Sequence, residues 1–487
     1  MLLASAAMLL AALGAARLST SLGLPSLLLF LLLGVGVGLW VDFDDAALAH
    51  DLGFAALVLI LAEGGLTTRW KEIRPYIGLA GLLASVGILV SIAAMTAFSH
   101  FVLGLDVATS LLLGAITAPT DSAAVFSVLR RVPLPSRLRA ILEAESGLND
   151  APVVLLVTAA TAWALGERTE GPGVILGMVV VELAGGLLLG VVIGWVGARV
   201  LKRIALPASG LYPLGAMGWA LFAYGTGVWV HVSGFAAVYV CAVVLGNSDL
   251  PHRNATKSFA EGVGWVAQIG LFVMLGLVAH PERFTPTVLV TGVLAGLFLT
   301  VVARPLSVFV CSVWFRMPWR EQAFLSWAGL RGAVPIIMAT VPLASPLPQA
   351  RDLFDLVFVF VVVYTTLQAP SLGRVARWLG VTTGDDSVDI EVEVAPLDKI
   401  QADFMQIKVP TGSQLHGVTI VELRLPPSTV VSLIIREGRP FAPGATDVIR
   451  AGDELLMVVP SKLRDRVENR LKQVGKGGRL SKWHDDH

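Results

Sequence analysis

The sequence predicts an α-helical polytopic membrane protein of thirteen transmembrane helices, with inverted six-helix repeats and two interrupted crossing helices, followed by a small α+β cytoplasmic domain. Three observations carry that fold class. Hydrophobic residues make up 55% of the 487 and charged residues only 15%, against roughly 25% charge in an average soluble chain. The charge is segregated, with 30 charged side chains in residues 381–487 and 42 in the 380 residues before them. The basic residues between apolar segments also alternate in a fixed phase. Lys+Arg and Asp+Glu number 36 each, which leaves no basic footprint for nucleic acid. Cys241 and Cys311 both sit in apolar runs, so a disulfide framework and a Cys-rich metal site are excluded.

A crossing helix needs about 20 mostly apolar residues. Such segments lie near 2–16, 24–40, 52–68, 76–99, 106–130, 137–165, 173–200, 211–230, 232–247, 259–279, 286–314, 321–342 and 353–378. With the amino terminus outside, the cytoplasmic loops collect 17 basic residues and the outer loops only Arg168, Arg283 and Arg351. That asymmetry sets the orientation and places the charged tail in the cytoplasm. Residues 1–16 lack the positive flank of a cleaved signal peptide and read as the first span.

Ionisable groups at membrane depth are costly and by default mark an ion or substrate path. The fifth span carries Ala118-Pro119-Thr120-Asp121, and the sixth Glu145-Ser146-Gly147-Leu148-Asn149-Asp150. Glu63 lies in the third span, Arg304 followed by Pro305 in the eleventh, and Gly329-Leu330-Arg331-Gly332-Ala333-Val334-Pro335 in the twelfth. Ser146, Asn149 and Asp150 at i, i+3 and i+4 share a helix face. Asp150 lies about 20 Å into its helix at 1.5 Å per residue, and Asp121 lies a similar distance along the fifth span. Carboxylate, hydroxyl and amide oxygens suit a small hard cation rather than a soft metal. A monovalent cation held at Asp150 and Asp121 is the expectation, with no resident metal or cofactor. One carboxylate that holds either a proton or a cation is the minimal machinery of exchange. The alternative is that these acids pair with Arg304 and Arg331 and only hold helices together.

Helix breakers add to this. Pro119 in the fifth span, and Gly332 with Pro335 in the twelfth, interrupt helices seven places apart. Transporters with inverted repeats place interrupted helices at corresponding positions, with half-helix ends at the midplane. Spans 1–6 and 8–13, joined by the seventh, fit such a pair.

Thr120-Asp121, Glu145-Ser146-Gly147-Leu148-Asn149-Asp150, Arg304 and Leu330-Arg331-Gly332-Ala333 resemble the NhaP branch of the monovalent cation:proton antiporters. The resemblance covers the whole membrane domain. It implies that Asp150 carries ion and proton, that Asp121 and Thr120 lie at the unwound crossing, and that Ser146 is a further ligand. It also implies that Glu63 lines the cytoplasmic approach, that Arg304 pairs with Glu145, and that the protein is a homodimer in which a mobile core moves against a dimerisation domain. Asn149, where a second Asp would stand, resembles the electroneutral branch. Ser122 stands where many relatives have Pro.

In the tail, residues 381–402 are acidic and read as a linker, 403–475 as a folded module and 476–487 as a terminal extension. Phe404–Val409, Val430–Arg436, Asp447–Arg450 and Glu454–Val459 read as strands, Leu415–Leu423 as a short helix, Glu437-Gly438 as a turn and Lys462–Leu471 as a closing helix. Ala451-Gly452-Asp453-Glu454-Leu455 resembles the turn before the last strand of the TrkA-C (RCK carboxy-terminal) domain. That likeness implies a small regulatory or dimerising module of a kind whose relatives can bind nucleotides; the alternative is a passive solubilising tail. No Gly-rich phosphate loop or dinucleotide fingerprint is present in the tail, so an enzyme is not expected.

The combined expectation is K⁺/H⁺ exchange across a cell (inner) membrane, with Na⁺ or Li⁺ as the runner-up cation. A channel would need a carbonyl selectivity ladder, which the sequence lacks. A non-transporting membrane sensor, the other alternative, would leave function intact in Asp150→Asn.

Overall fold

The structure is a computed structural model that describes residues 2–22, 24–41, 43–121, 134–168, 170–382, 392–397, 402–410, 413–460 and 463–477. The second half of the fifth predicted span with Ser122, the loop residues Arg130 and Arg131, most of the 381–402 stretch and residues 478–487 lie outside them. The chain forms two compact units, Met1–Thr382 and Thr383–His487.

Apolar runs become helices throughout the first unit. They are α1 (Leu2–Leu22), α2 (Ser26–Gly38), α3 (Ala46–Thr67), α4 (Trp70–Phe101), α5 (Val107–Thr117), α6 (Ser136–Ala164), α7 (Pro172–Arg203), α8 (Leu211–Trp229), α9 (Gly234–Gly246), α10 (Arg253–Val278), α11 (Pro286–Phe315), α12 (Trp319–Ala328), α13 (Ala333–Leu343) and α14 (Ala350–Trp378). Local chemistry fixes several starts. Asp45, Asp106, Ser233 and Thr285 cap α3, α5, α9 and α11 by accepting from a backbone N–H three residues on, which satisfies one otherwise orphaned donor each. Pro172 and Pro286 occupy first helical positions, where the missing N–H costs nothing.

Seven of these helices are long and apolar enough to cross a membrane, and an eighth crossing arises if α12 and α13, bent by 51° at their break, are one span. The helices fall into two groups. α1–α3 pack chiefly with α7–α10, and α4–α6 chiefly with α11–α14. Close backbone approach marks the first group: Gly186, Gly190 and Gly194 of α7 lie against backbone carbonyls of α9 or its cap, the small-residue packing that brings membrane helices together.

One feature of the second group has no cue in its composition. α4 and α11 each contain a single π-helical turn, Leu83–Gly87 and Leu299–Ala303. Such turns leave backbone groups out of the regular ladder and favour functional regions. Here Ser307 Oγ donates to the Gly87 carbonyl at 2.9 Å and Cys311 Sγ to that of Leu82 at 3.4 Å. Side chains of α11 therefore satisfy the widened turn of α4.

The second unit is an antiparallel five-stranded sheet of order β1-β2-β5-β3-β4 with a helix. Its strands are β1 (Val392–Leu397), β2 (Ala402–Lys408), β3 (Val430–Arg436), β4 (Arg439–Phe441) and β5 (Glu454–Pro460), and its helix is α15 (Arg464–Gly477). Alternate residues such as Met405 and Ile407 on β2 and Leu455, Met457 and Val459 on β5 are buried, the period-2 pattern of a sheet with one covered face. Val467, Leu471 and Val474 at i, i+4 and i+7 bring α15 into the same core.

Three expectations for the tail are corrected. Val392–Leu397, read as linker, pairs with β2 from Val392–Ile407 to Leu397–Ala402. Leu415–Leu423 is a turn followed by the 3₁₀ segment Val421–Leu423 rather than one helix, because Gly417 at φ +86° leaves helical space. Asp447–Arg450 makes a single bridge, Thr419 with Val448, instead of a strand.

Candidate ion-binding site

The site forms where two interrupted helices meet. α5 stops at Thr117 ahead of Pro119, and residues 118–121 are non-helical. α12 stops at Ala328 and α13 restarts at Ala333, with 329–332 non-helical between them. The two breaks lie side by side, joined by a backbone bond from Asp121 N–H to the Leu330 carbonyl at 2.9 Å. Each helix end is then met by a charge from the other chain segment. Arg331 Nε donates to the Thr117 carbonyl at the end of α5 at 3.0 Å, and Ala333 N–H at the start of α13 donates to Asp121 Oδ2 at 3.1 Å. A cation at a helix C-terminus and an anion at an N-terminus both oppose the local dipole charge, and they satisfy backbone groups that lipid could not.

The approach is close enough to dictate residue type. A Cβ on Gly332 would overlap the Asp121 carboxylate, so any larger residue there has to push that carboxylate off the start of α13. Arg331 Nη1 also donates to the Gly329 carbonyl at 2.8 Å, and Thr365 Oγ1 of α14 donates to the Arg331 carbonyl at 2.6 Å.

α6 presents its polar face to the same break. Ser146 Oγ donates to the Thr120 carbonyl at 2.9 Å. Asn149 Nδ2 donates to that carbonyl at 3.2 Å and to Thr120 Oγ1 at 2.8 Å. Thr120, Asp121, Ser146, Asn149 and Asp150 are all buried. The donors of Ser146 and Asn149 are thus consumed by the unwound backbone, which leaves oxygens over. Asn149 Oδ1 and Asp150 Oδ1 are buried with no hydrogen-bond partner among the described residues. A buried carboxylate or amide oxygen without a donor is expensive, and a desolvated cation or a proton supplies what each lacks. The donor set therefore fits the substrate cation anticipated from the sequence. Among the described residues, no group of three His, Cys, Asp or Glu side chains could hold a metal ion.

Glu145 faces away from this pocket. Arg304 Nη1 and Nη2 donate to its Oε1 and Oε2 at 2.6 and 2.9 Å, a two-pronged pair with both side chains about 95% buried. It ties α6 to α11 directly after the π turn. Glu63 is placed elsewhere again, on α3 against Gly264 of α10, in the other helix group from Asp150. Pro335 is buried in the first turn of α13, where a proline's missing N–H is tolerated. Thr365, which stands with Thr366 and Gln368 at the end of an apolar run, is a site residue that the sequence does not single out.

The fold is that of a helical polytopic transporter. Residues 7–378 match the family described as "Sodium/hydrogen exchanger, transmembrane", and residues 404–472 match the TrkA-C domain. The chain belongs to the sodium/hydrogen exchanger family and is a multi-pass membrane protein. It is 31% identical over 458 residues to the K⁺/H⁺ antiporter NhaP of Alkalimonas amylolytica, covering 91% of this chain and 78% of that one. It is 30% identical over 478 residues to the K⁺/H⁺ antiporter NhaP2 of Shewanella oneidensis, covering 96% and 83%. In three dimensions it is similar to the sodium proton antiporter MjNhaP1 of Methanocaldococcus jannaschii at pH 8. That match has a TM-score of 0.67 and 22% identity, and covers 78% of this chain and 99% of that one.

Proposed function

We propose that this chain exchanges K⁺ for H⁺ electroneutrally by alternating access, proton and cation competing for Asp150. The observation that carries the reading is the pair of buried oxygens on Asn149 and Asp150, without a hydrogen-bond partner among the described residues, beside the crossed helix breaks. A deprotonated Asp150 with no cation would be an uncompensated charge in the membrane, and a protonated one leaves no site for the cation. Binding is therefore one or the other. In this reading Asp121, Thr120 and Ser146 shape the site with Asn149, the Glu145–Arg304 pair and Arg331, Gly332 and Pro335 hold the crossing in register, and Glu63 lines the approach from the cytoplasm.

Potassium is favoured by the two relatives named K⁺/H⁺ antiporters. Sodium or lithium is the second reading, supported by the fold shared with a sodium proton antiporter. Thirteen crossings in inverted repeats are supported by a recurring order: a helix with a π turn precedes an interrupted one in each half, α4 before α5 and α11 before α12. The basic loops support an inner-membrane orientation with the amino terminus outside. The segregation of helices into two groups supports motion of α4–α6 and α11–α14 against the rest, within a homodimer. Residues 1–380 would carry transport, and 403–475 a regulatory function with a nucleotide as ligand.

The test is collapse of a pH gradient in liposomes containing the full-length protein on adding K⁺, Na⁺ or Li⁺ in turn. K⁺ is expected to act at the lowest concentration. Response to Na⁺ or Li⁺ alone would overturn the potassium reading and leave antiport standing. Silence to all three would overturn antiport.

A further inference from the structure

Glu143, Gly147 and Asp150 stand at i, i+4 and i+7 on α6, so they share a face with the two carboxylates about 10 Å apart along the axis. Position 147 carries no side chain, and a phenol takes its place. A Cβ on Gly147 would overlap the hydroxyl end of Tyr239, which reaches in from α9. Tyr239 is 7% exposed in a helix otherwise apolar or small. Its hydroxyl meets the side chain of Thr68, the residue that closes α3, and the same Thr68 meets the carboxylate of Glu143. Thr68 is buried and spends its own proton on the Gly64 carbonyl at 2.7 Å, so its lone pairs are what it offers its neighbours.

The charged groups around Glu143 are Glu72 and Arg69 at the start of α4 and Arg139 on its own helix. Those around Tyr239 are Glu143 and Asp150. Glu145, two residues from Glu143, is turned to Arg304. A line of oxygens thus runs from the exposed pair Arg69–Glu72 through Glu143, Thr68 and Tyr239 toward Asp150. Hydroxyls in such a line both donate and accept, which is what passing a proton requires. The line also crosses the boundary between helix groups. Thr68 and Tyr239 belong to the α1–α3 and α7–α10 group, whereas Glu143, Gly147 and Asp150 ride on α6.

We infer that Glu143, Thr68 and Tyr239 form a proton path from the end of the membrane unit bearing Arg69 and Arg139 to Asp150, with the Tyr239 phenol as its gating step. The Tyr239 hydroxyl gives its proton to the Asp150 carboxylate across the turn that Gly147 leaves open, directly or over one water. It regains one when the Thr68 hydroxyl turns its proton from the Gly64 carbonyl to the phenolate and takes the Glu143 proton in its place. One proton moves from Glu143 to Asp150, Tyr239 ends neutral, and no other bond changes. Sliding of α6 past α9 would separate the two halves of the line, so the path would exist in only one of the alternating states.

The inference rests on Asp150 as the carrier, and the experiment separates the two claims. Full-length protein is reconstituted in liposomes as wild type, Tyr239→Phe, Glu143→Gln and Asp150→Asn, and cation-driven proton movement is followed across pH in H₂O and D₂O. Tyr239→Phe keeps the ring that packs on Gly147 and loses only the hydroxyl. It is expected to lower the maximal rate about tenfold or more, leave the cation concentration for half-maximal rate unchanged, and enlarge the solvent isotope effect. Glu143→Gln, which keeps the length and shape of the side chain, should slow exchange in the same way and shift the pH of half-maximal rate. If both variants match wild type in rate, pH profile and isotope effect while Asp150→Asn is inactive, the path is wrong and the carrier stands. If the loss appears equally in rate and cation affinity, Tyr239 only shapes the site. If Asp150→Asn still moves protons, the carrier assignment itself fails.

Discussion

Two arginine–carboxylate forks hold the two units of this protein, and they differ chiefly in what surrounds them. In the membrane unit, Arg304 grips Glu145 with both prongs, and both side chains are about 95% buried. In the tail, Arg436 Nε and Nη2 grip Asp453 at 2.9 and 2.8 Å, but a quarter of the arginine side chain is exposed. Asp453 also accepts from the Arg450 backbone N–H at 2.7 Å. Burial pushes the Asp453 carboxyl up, yet the Arg436 fork, the Arg450 N–H and the nearby positive charges outweigh it and hold the group below its usual value. The geometry is the same; the solvent is not. If one partner of the tail fork is lost, water and a backbone donor stand ready. At the membrane fork the Leu325 carbonyl, 3.5 Å from Arg304 Nη2, could take up the arginine in part, but a stranded Glu145 would have no water to turn to.

The sharpest way to break the comparison is Arg304→Met. It strands Glu145 in an apolar interior and is expected to cost about 3–5 kcal/mol, read as a large drop in melting temperature of the purified protein. Replacing both partners, Arg304→Met with Glu145→Leu, should recover most of that loss, because a buried pair is often worth little against well-packed apolar groups. Gly332→Ala comes next. The new Cβ must displace the Asp121 carboxylate, so about 1–3 kcal/mol of stability should go, and exchange should fall further than stability does. Arg436→Met in the tail should cost about 1.5 kcal/mol, visible as faster hydrogen exchange in β3 and β5 of the full-length protein and leaving the membrane helices unchanged. The smallest effect is on pH. With its folded value depressed, Asp453 contributes stability that is present above the ordinary carboxylate value of about 3.9 and is lost as pH falls through its folded value. Protection of β3 and β5 should therefore weaken on acidification below about pH 4 in the wild type, and Asp453→Asn should flatten that dependence.

These two regions were unequally legible in the sequence. Each predicted apolar segment overlaps a helix because length and composition alone decide where a lipid-facing helix forms. The helix breaks at Pro119 and Gly332 were visible because proline and glycine announce themselves. Nothing announced the π turns: Leu83–Gly87 and Leu299–Ala303 are set by tertiary partners, Ser307 and Cys311 for the first of them. The reciprocal capping of Asp121 and Arg331 could not be read either, since it depends on two segments over 200 residues apart crossing in register. In the tail, Val430–Arg436 was read to the residue from its β-branched run. Val392–Leu397 was lost among acids because its strand character comes from pairing with β2 rather than from propensity.

The central claim is that Asp150 holds either the proton or the cation, and the most direct measurement counts both. Purified wild-type and Asp150→Asn proteins are titrated with K⁺ at fixed pH in lightly buffered solution, and proton release is recorded with the ion bound. The account predicts one proton released per cation in the wild type, and neither proton release nor cation binding in the variant. Cation binding without proton release, or unchanged release from Asp150→Asn, would contradict it.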